Sequence, residues 1–339
     1  MTNTPLKGEK VLTNYNTLPI IKQKFDSIDL MRGIAILMVI LVHTSQKVEG
    51  DMFSRSFLDY GQMGVQLFFV ASAFTLCYSF EIRRSTDKSL TNFYLRRYFR
   101  LAPGYYVGIL LYFLLNLVYR ASGVSSEWKN NDNPFDIILN MFFLNGLVPS
   151  ANNSVVPGGW SIGTEMLFYL IFPLLFYIYS KLQRFKYFNF TMPILALALS
   201  LSIQFAFYLL TKNPDYFNNN GFIFFSIVNQ LPVFCVGMSM YYAFKNDSLK
   251  NISTTTSILM FTILTILSSY LMVLGNELFT FIFAITPFIS ALSFLFLFTL
   301  LKIRILKTKS FLKLVYFLIL DIYYISYSPT ISQVIYQRK

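Results

Sequence analysis

Hydrophobic residues in this chain come in long unbroken runs, without the alternation of a half-buried strand. After a polar stretch of 27 residues, ten apolar runs follow, at 30–45, 63–80, 101–119, 137–148, 160–179, 192–210, 222–244, 258–274, 278–301 and 314–325. Most approach the ~20 residues that a helix needs to cross ~30 Å of hydrocarbon. Helices are expected, and barrel strands are not, because backbone polar groups inside lipid must be satisfied within each segment. Runs 137–148 and 314–325 fall short of a span. Pro173 and Pro232 lie mid-run and are expected to kink their helices, since proline lacks the backbone donor and crowds the preceding turn. The pattern predicts an all-α polytopic membrane helix bundle with about nine to ten transmembrane helices.

Composition agrees with that reading. The 339 residues are 55% hydrophobic and only 13% charged, with a mean hydropathy of +0.53, whereas soluble domains carry about a quarter charged residues. This argues against a water-soluble globule and against a disordered or collagen-like chain. Lys and Arg number 28 against 16 Asp and Glu, a net +12 that fits loops facing anionic lipid headgroups better than it fits nucleic acid. Cys77 and Cys235 both lie inside apolar runs, too few for a disulfide framework or a four-ligand zinc site, and no metal is expected.

Residues 1–27 lack the early apolar core and small-residue cleavage site of a secretory signal and read as a cytoplasmic tail. Basic residues concentrate at 83–100, 181–186, 245–250 and 302–313. If all of these face the cytoplasm, parity requires that 137–148 be re-entrant or interfacial. The alternative turns the weakly basic loop at Lys181 outward.

Ionisable groups inside apolar helices cost ~2.5 to 3.5 kcal/mol on insertion scales, so each needs a reason. Arg32 and His43 are eleven residues apart, which on a helix gives ~16 Å of rise and nearly the same face. Arg32 alone reads equally well as a side chain snorkelling beside Asp29. His43 is the only histidine, and its ordinary titration range suits proton exchange near neutrality. Arg96, Arg97 and Arg100 cluster at helical spacing, as a phosphate-binding group or as a positive-inside anchor. Glu165 lies five residues beyond Trp160. On this topology it sits near the outer surface, level with His43, and is able to orient the imidazole. As an acid near a helix start it would also be favourable without any function. Phosphate-binding glycine loops, metalloprotease motifs, nucleophile elbows and internal repeats are absent from the sequence.

Several of these stretches together resemble the acyltransferase 3 family of bacterial membrane acyltransferases. They are Asp29-Leu-Met-Arg32 with His43, Phe68-Phe-Val-Ala-Ser-Ala-Phe74, Arg97-x-x-Arg100-Leu-x-Pro103-x-Tyr105, and Trp160-Ser161-Ile-Gly-Thr-Glu165 running on to Pro173. The likeness is strong across 28–173 and beyond that rests on hydropathy and helix count. It implies a tail at 1–27, a membrane acyltransferase domain at 28–328 and an atypical stretch at 329–339. It also implies a multi-pass protein of the bacterial cytoplasmic (inner) membrane that moves an acyl group, often acetyl from acetyl-CoA, onto a hydroxyl. The acceptor would be a carbohydrate such as O-antigen, exopolysaccharide or another envelope glycan.

By position, the resemblance makes His43 and Glu165 catalytic. Arg32, Asp29, Trp160 and Ser161 would support the acyl path, and Arg97 and Arg100 would bind the donor. Direct transfer is the simpler mechanism, while a covalent acyl-enzyme through Ser72 or Ser161 stays open. Ala73 stands where the family usually has glycine, and tolerance of the added methyl is expected. After Ser328 the family's terminal helix, with its further histidine, is missing, so a truncated or frame-shifted product is expected there. A transporter or export partner, or an inactive family member, is the alternative reading.

Overall fold

The computed structural model describes residues 25–45, 58–84, 89–122, 133–183, 185, 187–211, 222–277 and 280–302. Among these residues all regular structure is helical. In chain order the helices are α1 (Asp26–Ser45), α2 (Gly64–Arg84), α3 (Leu90–Ser122), α4 (Pro134–Met141), α5 (Gly159–Leu182), α6 (Phe188–Thr211), α7 (Ile227–Lys245), α8 (Thr254–Glu277) and α9 (Thr280–Lys302). One-turn helices at Tyr60–Met63 and Phe222–Phe225 extend α2 and α7 at their starts. Eight of these segments are long and apolar enough to cross a membrane. The tenth apolar run and the atypical stretch 329–339 lie outside the described residues. Helices α5 and α7 continue through Pro173 and Pro232 without a break.

Two helices form the centre. The spans of α2 and α7 are 67% and 61% buried, against 11% for α3, although their hydropathies differ little. Lipid is as apolar as a helix interior, so small side chains that let backbones approach decide which helices pack. A Cβ on Gly237 of α7 would stand 2.5 Å from the Val70 carbonyl of α2 and 2.8 Å from the Ala73 methyl. The methyl of Ala73 thus faces a glycine on the helix opposite. On the other side of α2, a Cβ on Gly64 would stand 2.6 Å from the Ala35 carbonyl of α1. Stacked rings join α5 to this pair, with Phe234 lying 3.9 Å from Phe168 and 4.5 Å from Phe69.

One face gathers the helix ends that carry basic residues. There Phe25 packs edge-on against Phe74, Tyr78 and Phe244, and Lys302 lies over the Phe244 ring. Glu81 accepts from Tyr241 and Lys245 in the same region. The opposite face is built differently. Helix α4, capped by Asn133 and started by Pro134, has only 8 residues, ~12 Å of rise, and is not a span. The chain after it buries Asn145 and Asn152 while Phe142, Leu144 and Leu147 stay exposed, and amide side chains tie it to the protein. Asn140 donates to the Asp136 and Ala151 carbonyls and accepts from Tyr105, while Asn145 donates to the Asn152 carbonyl. Non-helical backbone at membrane depth needs such partners within the protein.

Candidate active site

Helix α2 carries three hydroxyls at i, i+3 and i+7, Ser72, Thr75 and Ser79, which share one face. Each meets a different neighbouring helix. Ser72 donates to Glu165 of α5 at 2.5 Å, Thr75 accepts from Arg32 of α1 at 2.8 Å, and Ser79 accepts from Arg97 of α3 at 2.9 Å. Thr75 and Ser79 pass their own protons to carbonyls within α2.

Glu165 receives a second donor on the same oxygen, from the hydroxyl of Tyr169 at 2.5 Å, one turn along α5. The Tyr169 ring, 2% exposed, lies 5.6 Å under the Arg97 guanidinium, which also lies 5.8 Å over Phe93. Arg32 and Arg97 are both within electrostatic reach of the Glu165 carboxylate. Two guanidiniums and one carboxylate leave a net positive charge among these three side chains. The Nε of Arg32 is buried with no hydrogen-bond partner among the described residues.

The residues singled out from sequence fall into two groups. Arg32, Arg97 and Glu165 come together through the α2 stripe. Asp29 sits at the edge of that cluster, 3.6 Å from Arg32 and half exposed, and Arg100 is exposed one turn beyond Arg97. His43 is separate. It lies exposed in the last turn of α1, and no hydrogen bond joins it to Glu165 among the described residues.

The sequence reading set Glu165 level with His43, and the structure sets it deeper. Helices α1 and α2 are antiparallel and Thr75 meets Arg32, so Ser72 and its partner Glu165 sit only one turn from Arg32 towards the His43 end. About 12 Å of helix rise remains. Trp160 stacks on Phe225 at 4.4 Å, and Ser161 donates to the Gly158 carbonyl, so both shape the start of α5 away from the cluster. Thr75, Ser79 and Tyr169 were not singled out from sequence. The hydroxyl period along α2 and the Glu165–Tyr169 spacing of four were the available signals. Among the described residues no three His, Cys, Asp or Glu side chains converge as metal ligands would.

Comparison with known proteins bears on the same segments. The chain is 26% identical over 161 residues to the peptidoglycan O-acetyltransferase OatA of Listeria monocytogenes, a match covering 46% of this chain and 24% of that protein. No solved structure matches the chain. The acyltransferase domain family matches residues 25–331, from the start of α1 to beyond α9 and across the whole polar cluster, and the chain belongs to this family.

Proposed function

We propose that the chain is an O-acyltransferase of the bacterial cytoplasmic membrane that takes an acyl group, acetyl first, from acyl-CoA at its basic face. It delivers the group to a hydroxyl of an envelope carbohydrate near the opposite face. The basic face points inward, as the positive-inside rule requires. What supports this reading is the family match across residues 25–331 together with the buried Arg32–Arg97–Glu165 cluster, with His43 on the same helix as Arg32 and ~16 Å of rise beyond it.

In this mechanism His43 takes the proton of the acceptor hydroxyl as its oxygen attacks the thioester carbonyl. The tetrahedral intermediate collapses with loss of the thiolate, and His43 returns the proton to sulfur. The products are an ester and free CoA. Arg32 and Arg97 line the deeper part of the path, where their positive charge attracts the electron-rich thioester on its way to His43. Glu165, fixed by Ser72 and Tyr169, positions both guanidiniums and does not touch His43 directly. The relative's name specifies peptidoglycan, and that polymer is one glycan acceptor to test.

The test uses membranes containing the protein and labelled acetyl-CoA, with mass analysis of surface glycan from cells with and without the gene. Transfer of label to glycan, together with loss of one acetyl mass from the glycan when the gene is removed, is expected. Identical glycan masses and no label transfer would overturn the reading.

A further inference from the structure

The family's arginine pair, Arg97 and Arg100, was assigned to the donor from sequence, yet Arg97 turns inward. Its Nη2 donates to Ser79, and its guanidinium lies between the rings of Phe93 and Tyr169. A different set of arginines lines open space. On the basic face a cavity of about 540 Å³ opens between the end of α2, the start of α3 and the second half of α5. Arg83, Arg84 and Arg96 line it, together with the rings of Phe93, Phe176 and Tyr177. Lys181 lies 5.6 Å over the outer ring, Tyr177, and adds a fourth cation at the rim. The volume falls in the range of small-molecule and cofactor sites, about 300–1,000 Å³.

We infer that this cavity binds the nucleotide end of the acyl donor, with the phosphates on Arg83, Arg84 and Arg96 and the base against the aromatic wall. The inference rests on the acyl-CoA reading above. Two features carry it. First, guanidinium forks match phosphate oxygens in pairs, and three of them converge on one cavity. An anionic lipid headgroup shares the phosphate chemistry, but it has no flat ring to lay on the exposed face of Tyr177, whereas a nucleobase stacks on such a face.

Second, the cavity backs onto the site through one buried ring. Its wall residue Phe93 is shared with Arg97, whose other ring is Tyr169, the partner of Glu165. From Phe176 to Glu165 is eleven residues of α5, ~16 Å of rise. A flexible thioester arm anchored at the cavity has that distance to cover along α5 to reach the polar cluster. The nucleotide stays at the basic face and only the acyl end enters the bundle.

The test measures binding of CoA, and of adenosine 3′,5′-bisphosphate, which lacks the arm, to the full-length protein in nanodiscs of zwitterionic lipid. Both probes are expected to bind. Arg84→Gln and Arg96→Gln should each weaken the bisphosphate about tenfold, and the variant combining them with Arg83→Gln by more. Arg97→Gln should leave the bisphosphate affinity within about threefold, because that probe does not reach Arg97.

Arg96→Lys keeps the charge and loses the fork. With an unchanged thermal midpoint, it should still weaken the bisphosphate by about threefold, which carries the test if the triple variant folds poorly. If CoA binds the wild type and these variants equally, the site is wrong while the acyl-CoA reading stands. If the wild type binds neither probe and transfers no label from acetyl-CoA, both fall. If native mass spectrometry shows the variants losing retained phosphatidylglycerol while CoA affinity is unchanged, the cavity is a lipid site and the inference is overturned.

Discussion

Removing one oxygen tests the polar cluster most economically. In Tyr169→Phe the ring keeps its place, 2% exposed and under the Arg97 guanidinium, and only the 2.5 Å hydrogen bond to Glu165 is lost. A hydrogen bond to a charged group contributes about 1.5 to 3 kcal/mol. Glu165 is half-buried, and Ser72 still donates to it, so the lower end applies. At ~1.4 kcal/mol per factor of ten, a loss of about 1.5 kcal/mol lowers the transfer rate about tenfold if the carboxylate must hold its position in the transition state.

The assay is kcat/KM for acetyl transfer in membranes, measured on Tyr169→Phe, Glu165→Gln and the double variant, with thermal midpoints as a folding control. If the two residues act as one unit, Tyr169→Phe costs less than about twofold once Glu165 is already Gln. A tenfold loss in both backgrounds would mean that Tyr169 acts independently of Glu165. No loss in either would remove the cluster from the mechanism.

Three further outcomes follow from the same geometry. Thr75→Val preserves shape but takes away the 2.8 Å acceptor of Arg32, and should cut transfer about fivefold with little change in expression, read by the same assay; full activity would detach Arg32 from the path. Gly237→Ala forces a methyl against the Val70 carbonyl and the Ala73 side chain, so it should destabilise by about 1 to 3 kcal/mol in thermal or denaturant unfolding. Ala73→Gly should rescue only part of that, because the carbonyl remains 2.5 Å away. Asn140→Ala strips partners from Tyr105 and from two carbonyls at a buried position and should cost about 3 kcal/mol; a thermal midpoint equal to wild type would contradict the role given to the buried amides.

The eight spans were legible because each is a continuous apolar run ended by polar or basic residues, and the fourth run was set apart by its length and by parity. Which helices lie at the centre was not legible. Lipid-facing α3 reads as slightly more apolar than buried α2, at 1.7 against 1.5, since both surroundings select the same residues.

Within the site, Arg32, Arg97 and Glu165 declared themselves as charges inside apolar runs. Their partners Thr75 and Ser79 did not, and Ser72 stood out only as a possible nucleophile, because hydroxyls are unremarkable in a membrane helix until their spacing is set against three neighbouring helices. The depth of Glu165 was misread for a specific reason. Counting inward from Trp160 assumes that α5 starts at the surface, whereas the preceding loop dips into the protein, with Asn145 and Asn152 fully buried.

Of the residues named, His43 matters most, because its imidazole is proposed to move the proton of the acceptor hydroxyl. The direct measurement is acetyl transfer from labelled acetyl-CoA to glycan in sealed membrane vesicles containing His43→Gln at wild-type expression and thermal midpoint. General-base catalysis contributes ~10²- to 10⁴-fold, so transfer should fall at least about a hundredfold. Transfer within about threefold of wild type would contradict the assignment and leave the Arg32–Arg97–Glu165 cluster to account for the chemistry without it.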